Sequence, residues 1–332
     1  MDWKGKRVLI TGASGFVGSW LTKALIEKGA DISIISLWEH EPEKSVLRFE
    51  GVLDKLKPPL VCDIRDYDAV KKVIDNSGAE ILFHLAAQAI VPKANESPIP
   101  TFQTNITGTW NILEACRNAE GLEAVVVAST DKVYGEPIEL PITEEHPLLA
   151  KYPYDASKAC ADILSRMYFH IYGLPVAVTR CCNIFGGGDL NFSRIVPETV
   201  RAVILNRSPV LRSDGSPVRD FIHVDDAVAA YMALAENLDK KGVKGQAFNF
   251  GSNAPISVLD LVKRTIKISG SSMQPDIQGK GTPKGEISRQ YLASEKAKRM
   301  LGWNARVSLD EGIKKTIDWY RRYLEWNPAM KE

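Results

Sequence analysis

The glycine-spaced turn Thr11-Gly12-Ala13-Ser14-Gly15-Phe16-Val17-Gly18 is the tightest constraint this sequence places on its own fold. It follows a short apolar strand, Lys6 to Ile10, and opens a helix expected to run to about Lys28. Glycine permits the tight turn and close backbone approach, and the helix start offers free N–H groups and partial positive charge to a diphosphate. A glycine triplet also occurs in ordinary βα turns. In the first βα unit it points to dinucleotide binding, with Gly12, Ser14, Gly15, Phe16, Val17 and Gly18 as the cradle.

The following segments repeat the βα pattern. Asp31 to Leu37 reads as a second strand, after which the acid that selects the NAD ribose is missing: Ser36, Leu37 and Trp38 stand there, and Glu39 comes late. No Arg or Lys follows that strand before Lys44 to welcome a 2′-phosphate, so NAD is favoured over NADP. A third strand ends in Leu60 to Asp66, where Asp63 and Ile64 are expected at the adenine and Asp66 caps the next helix. Glu80 to Ala87 is a fourth strand; the small Ala86 and Ala87, next to Leu85, let a cofactor lie against the backbone, and His84 reads as a core histidine. Pro98 to Ala119 has a helical pattern, with Asn105 bracing the next loop.

Ala124 to Gly135 carries the chemistry. Its uncharged β-branched half reads as a central strand buried on both faces, and it turns polar at Ser129, Thr130, Asp131 and Lys132, at the carboxyl end where open α/β sheets bind ligands. Tyr154 and Lys158, one helical turn apart, reach the same crevice from a helix running to Tyr172. That helix's spare face is expected to pair with the 98–119 helix of a second subunit, giving a homodimer.

With a sixth strand at Pro175 to Thr179, the βα series implies a Rossmann-type doubly wound parallel sheet. Arg180 to Asp189 is glycine-rich and reads as a loop leaving the sheet. A helix from Val224 to Asn237 and a strand at Ala247 to Phe250 return to it. The expected division is a dinucleotide-binding domain of residues 1–182 with 219–251 returning, and a smaller, mixed α/β substrate domain of 183–218 and 252–332. The latter half contributes Arg194, Arg219 and Arg289, whose guanidinium forks match diphosphate oxygens, and ends in a short helix closed by Gly302 and an amphipathic helix. The 332 residues suffice for two lobes, and a net charge of +1, from 42 basic and 41 acidic residues, recommends neither nucleic acid nor membrane as partner. The start leaves no room for a signal peptide's apolar core, so a cytoplasmic location is expected. Five cysteines show no metal-ligand spacing and read as buried small hydrophobes; no metal is expected.

Taken together, Thr11-Gly12-x-x-Gly15-x-x-Gly18, Tyr154-x-x-x-Lys158, Asn183 and Arg219-Asp220-Phe221-Ile222-His223-Val224 resemble the extended short-chain dehydrogenase/reductases that act on nucleotide sugars. Thr130-Asp131-Lys132, Gly186-Gly187-Gly188-Asp189 and Gly18-Ser19-Trp20-Leu21 are most similar to the CDP-glucose 4,6-dehydratase type; UDP-N-acetylglucosamine 4,6-dehydratases also show Thr-Asp-Lys, and a UDP-glucose 4,6-dehydratase stays open. The resemblance implies a lyase with NAD, a nucleotide-diphosphate sugar substrate at Gln88, Asn183, Arg194, Arg219 and Arg289, and cofactor contacts that add Ser129, Tyr154 and Lys158 to the cradle.

In that chemistry Tyr154 is the base that starts oxidation at carbon 4. A unit charge about 4 Å from a phenolate is worth about 4 kcal/mol at an effective dielectric of about 20, or about three pKa units, so Lys158 is expected to bring Tyr154 near neutrality. Thr130 and Ser129 hold the same sugar oxygen. Asp131, protonated, is the acid at the carbon 6 hydroxyl, and Lys132 is either the base at carbon 5 or an electrostatic stabiliser of the enolate. The competing readings are a nucleotide-sugar 4-epimerase, which has no need of Asp131-Lys132, and a non-catalytic dinucleotide sensor on the same fold.

Overall fold

The computed structural model describes residues 1–38, 45–281 and 287–331, so Glu39 and Lys44 lie outside the described residues. Seven parallel strands form the main sheet in the order Ala247–Phe250, Val176–Cys181, Ala124–Thr130, Ile81–His84, Arg7–Thr11, Asp31–Ser36 and Leu60–Val61. The chain winds from Arg7–Thr11 to one edge, then restarts on that strand's other side. The order therefore reverses between Arg7–Thr11 and Ile81–His84, which pair from Val8 with Ile81 to Thr11 with His84. A crevice opens at the carboxyl ends of such a pair.

Alternation along the central strand sends its side chains to two cores. Val126 and Ala128 pack with Leu21 and Leu25 of helix Phe16–Glu27 and with Ala227 and Val228 of helix Val224–Glu236. Val125 and Val127 pack with Val70, Ile112 and Tyr168 from helices Tyr67–Ser77, Gly108–Arg117 and Pro153–Tyr172. Because helices cover both faces, the run Ala124 to Ala128 has no polar face at all.

Three expectations differ from what is found. The 98–119 helix is broken into Pro98–Phe102, a π turn at Gln103–Thr107 and Gly108–Arg117, preceded by a further helix Val91–Glu96. The third strand keeps only Leu60–Val61, since Asp63 turns back to accept from the Arg65 amide at 2.9 Å. The glycine-rich stretch after Arg180 is not irregular throughout: Asn183–Phe185 pairs in parallel with Phe221–His223.

Beyond Phe185 the chain builds small sheets around helices Ile195–Ile204, Val258–Ser269 and Leu309–Trp326. One matters for the site: Val218–Arg219 is flanked by Ile256–Ser257, antiparallel, and by Arg289–Gln290, parallel. Among the described residues no helix is long and apolar enough to cross a membrane.

Candidate active site

Backbone contact shapes the glycine turn. Gly12 has φ +76, and a Cβ there would lie 2.6 Å from the Ala86 nitrogen; a Cβ on Gly18 would lie 2.0 Å from the Gly12 carbonyl oxygen. The first and fourth strand ends are thus pressed together at the switch point. The helix that follows starts at Phe16 with Gly15 as N-cap and no side-chain cap, so its first amides remain available to an anion. Ser14, Phe16, Val17, Leu85, Ala86 and Ala87 are half-buried around this mouth. The bare cradle fits a dinucleotide diphosphate, and the Ser129 hydroxyl, buried without a hydrogen-bond partner, faces the same strand ends.

Below the mouth His84 ties the elements together. Its Nδ1 lies 2.8 Å from the Thr11 hydroxyl and its Nε2 3.0 Å from that of Thr109. Thr109 gives its own proton to the Asn105 carbonyl, which makes Nε2 the donor and Nδ1 the acceptor. Burial, with the Lys158 charge nearby, pushes this imidazole down to about 3, so it stays neutral, in keeping with a core histidine.

The reaction centre gathers at the end of the central strand. Thr130 ends that strand, and Asp131 opens a tight turn, Asp131–Tyr134. The Thr130 hydroxyl donates to Asp131 Oδ1 at 3.1 Å and accepts from the Lys132 amide at 3.3 Å. Asp131 is buried, its Oδ2 has no partner, and burial raises its carboxyl above the usual range against the pull of Lys132, Thr130 and Arg219. From helix Pro153–Tyr172, Lys158 donates to the Ala128 carbonyl at 2.6 Å, and Ser157 is held by Asn105 at 2.9 Å. Asn105 also brackets Gln88, accepting from its amide at 2.8 Å and donating to its carbonyl at 3.1 Å. The π turn that carries Asn105 thereby locks the fourth-strand loop to the Tyr154 helix, as π turns at functional sites do.

The expected near-neutral phenolate is not found. Burial pushes Tyr154 up to about 12 and draws Lys158 down to about 8, and the Lys158 amine is hydrogen-bonded to the Ala128 carbonyl. The cation that acts on Tyr154 to lower it is Arg194.

The sequence matches one family profile, that of the GDP-mannose 4,6 dehydratases, over residues 9–316. The chain belongs to the GDP-mannose 4,6 dehydratase family. CDP-glucose 4,6-dehydratase of Salmonella typhimurium is 31% identical over 336 residues, spanning 97% of this chain and 92% of that one. A dTDP-glucose 4,6-dehydratase from Streptomyces venezuelae, solved with NAD bound, superposes with a TM-score of 0.85 at 28% identity, covering 98% of this chain and 99% of that one. UDP-glucose 4-epimerase from Thermotoga maritima, solved with UDP-glucose, gives 0.85 at 28% identity, covering 96% and 99%.

As a member of the GDP-mannose 4,6 dehydratase family, the chain has its remaining candidate residues placed unevenly. Arg194 pairs with Asp189 at 3.0 Å and acts on Tyr154; Arg219 acts on Asp131. Asn183 donates to the Asp220 carbonyl at 3.1 Å. Gln88 folds back on its own loop, accepting from the Ile90 amide at 2.6 Å, and Arg289 is exposed, in register with Val218 rather than Arg219. Asp63 is held by the Arg65 guanidinium, and Ile64 is buried against Gly108. Two residues escaped the sequence reading. Asp155, buried beside Tyr154, has a carboxyl raised by burial to about 6, with Lys132 opposing and Asp131 adding to the shift; its place after the tyrosine in a helix's first turn was the available signal. Gln290 is fully buried and donates to the Asp131 carbonyl at 3.0 Å, a contact across 159 residues that no local pattern announces.

Proposed function

We propose that this chain is an NAD-dependent nucleotide-sugar 4,6-dehydratase, a hydro-lyase converting CDP-glucose or a similar nucleotide-diphosphate hexose to the 4-keto-6-deoxy sugar and water. The observation that carries the reading is Asp131: a carboxyl buried at the end of the central strand, raised toward its protonated form, next to Lys132 and across the crevice from Tyr154. Epimerisation needs no acid there. The family membership and the NAD-bound relative support the same reading.

Gly12, Gly15, Gly18, Ala86 and Ser129 would hold NAD, which when bound accepts hydride from carbon 4 and returns it to carbon 6. Tyr154 takes the carbon 4 hydroxyl proton, favoured by the positive charge of Arg194. Thr130 holds the resulting carbonyl oxygen. The ketone acidifies the proton on carbon 5; Lys132 accepts that proton as Asp131 gives its own to the carbon 6 hydroxyl and water departs, and returns it to carbon 5 once carbon 6 is reduced. Lys132 acts on the carboxyls of both Asp131 and Asp155, and the proton it takes leaves it positively charged beside the enolate, which that charge stabilises. In this reading residues 1–182 with 219–251 hold the cofactor, and 183–218 with 252–332 take the nucleotide sugar, Arg194 and Arg219 at its diphosphate.

The test is incubation with CDP-, UDP-, GDP- and dTDP-hexoses and mass spectrometry of the products. Loss of water supports the dehydratase. An unchanged mass with inverted carbon 4 makes the chain a 4-epimerase, the second reading, which the equal TM-score to the Thermotoga maritima enzyme keeps in view. Neither product leaves a binding protein. The working form in this proposal is a homodimer through helices Gly108–Arg117 and Pro153–Tyr172, in the cytoplasm, where free cysteines and these substrates belong.

A further inference from the structure

Among the described residues, two acceptor atoms lie buried without a donor on residues that touch: Oδ2 of Asp131 and Oε1 of Gln290. Gln290 comes from the Arg289–Gln290 strand and reaches across to the reaction centre, where its Nε2 donates to the Asp131 backbone carbonyl at 3.0 Å. That bond fixes which way the amide faces, since Nε2 must meet a carbonyl and Oε1 is the atom left over. On the acid, Oδ1 is already taken by the Thr130 hydroxyl at 3.1 Å, so Oδ2 is the free oxygen. A buried acceptor without a donor is destabilising. One proton placed on Asp131 Oδ2 and accepted by Gln290 Oε1 removes both deficits at once.

We propose that Gln290 is a positioning residue for the elimination, whose amide oxygen accepts the Asp131 proton and so keeps the acid protonated and oriented until the carbon 6 hydroxyl replaces it. The proton stays on the carboxyl throughout the resting state. When water forms, the Asp131 O–H bond breaks, the proton goes to the departing hydroxyl, and the carbon–oxygen bonding pair leaves with it. The carboxylate left behind then faces an acceptor rather than a donor, which favours its reprotonation for the next turnover. The inference rests on the dehydratase reading.

Other groups act on Asp131. Lys132 lies on its own turn, Arg219 comes from the neighbouring small sheet with Asp220 directly after it, Tyr154 and Asp155 from the long helix, and the thiols of Cys181 and Cys182 from the end of the sixth strand and just beyond it. Arg219 and Lys132 favour the carboxylate and Asp220 opposes it, so the protonated form depends on burial and on what its own proton can meet. Gln290 is the member of this surround that has no ionisable group, and among the described residues its oxygen lacks a donor.

The test compares Gln290→Leu and Gln290→Glu with the parent enzyme on whichever nucleotide hexose the parent dehydrates. Water loss and solvent deuterium entry at carbon 5 are followed across pH. The acid works protonated, so activity falls as pH rises through its pKa. Leucine cannot accept the proton, and its alkaline limb should move down by about one pH unit, with carbon 5 exchange retained. Glutamate keeps an acceptor and can share the proton, so its limb should stay or move up. Limbs that move together, or not at all, overturn the role of Gln290 while leaving the dehydratase reading intact; a parent enzyme that dehydrates no nucleotide hexose overturns that reading instead. Should the leucine variant fail to fold, the glutamate variant alone decides, since a downward shift of its limb contradicts the proposal.

Discussion

At Tyr154 and Asp131 the same force, burial, has opposite consequences for the chemistry. It holds the phenol protonated, at about 12, which works against its proposed task as a base, and it raises the Asp131 carboxyl, which suits its proposed task as an acid. In the proposed mechanism the first step depends on Tyr154 accepting the carbon 4 proton. Tyr154→Phe should lower ketone formation by roughly 10²–10⁴-fold, the usual worth of a positioned acid or base, with nucleotide-sugar binding retained. Rapid quench of the 4-keto product measures this, and undiminished turnover removes Tyr154 from the mechanism. Asp131→Asn separates the two steps. It should still form the ketone and exchange carbon 5 with solvent, while water loss falls by a similar factor; an equal fall in both steps makes Asp131 a purely structural residue. The sequence made these residues legible because Tyr154-x-x-x-Lys158 and the polar end of the Ala124 strand are local patterns. It misjudged the Tyr154 and Lys158 proton affinities because desolvation is set by neighbours distant in the chain.

The turns and strand ends that hold these side chains can be tested as elements. Gly12→Ala meets two obstacles: a positive φ of +76, costing roughly 1–2 kcal/mol for a residue with a side chain, and a Cβ 2.6 Å from backbone at Ala86. Gly5→Ala has the same kind of φ, +73, with nothing within 4 Å. Both variants should melt earlier than the parent, Gly12→Ala by clearly more, and it alone should lose NAD binding in a calorimetric titration. Equal losses would mean that the close approach of the two strand ends is unimportant. His84 links the first strand, the fourth strand and helix Gly108–Arg117, and does so neutral. An unfolded chain takes that proton below about 6.5, whereas the folded one refuses it down to about 3, so the folded state loses stability as pH falls through that window, by up to about 1.4 kcal/mol per pH unit. Asp155, raised to about 6, works in the other direction, so the useful quantity is a difference. His84→Gln should cost about 1–3 kcal/mol at pH 7, and the gap to the parent should shrink between pH 6.5 and 4; a constant gap would show that His84 is not held neutral. Strands and long helices were readable from apolar runs and periodicity. The π turn at Gln103–Thr107 was not, because its extra residue is stabilised by the bonds of Asn105 to Gln88 and Ser157 rather than by anything in its own sequence.

Over the whole molecule, legibility follows the range of the contacts. Most βα steps are local, so the doubly wound parallel sheet follows from the sequence. The small sheets do not, since Val218–Arg219 finds Arg289–Gln290 only after helices Val224–Glu236 and Val258–Ser269 and several strands intervene, and two-residue strands carry no periodicity. The same reasoning applies to the surface. On helices Gly108–Arg117 and Pro153–Tyr172, Trp110, Ile163, Ile171 and Tyr172 are 44%, 51%, 68% and 51% exposed, an apolar display that a lone chain gains nothing by keeping. Between these helices lies a groove of about 480 Å³ lined by Tyr67, Trp110, Leu164, Met167 and Tyr168. Two helices offered side by side can pair with the same two of another copy about a twofold axis, each copy giving one patch to the other. Such a pairing would also brace the helix that carries Tyr154 and Lys158, so its loss should be felt in the reaction. Trp110→Glu combined with Ile163→Glu places charge in that face, and sedimentation equilibrium should find the parent as a dimer and the double variant as a monomer with a slower reaction. A parent that sediments as a monomer under assay conditions would leave those four side chains to some other partner and exclude the helix face as a self-association surface.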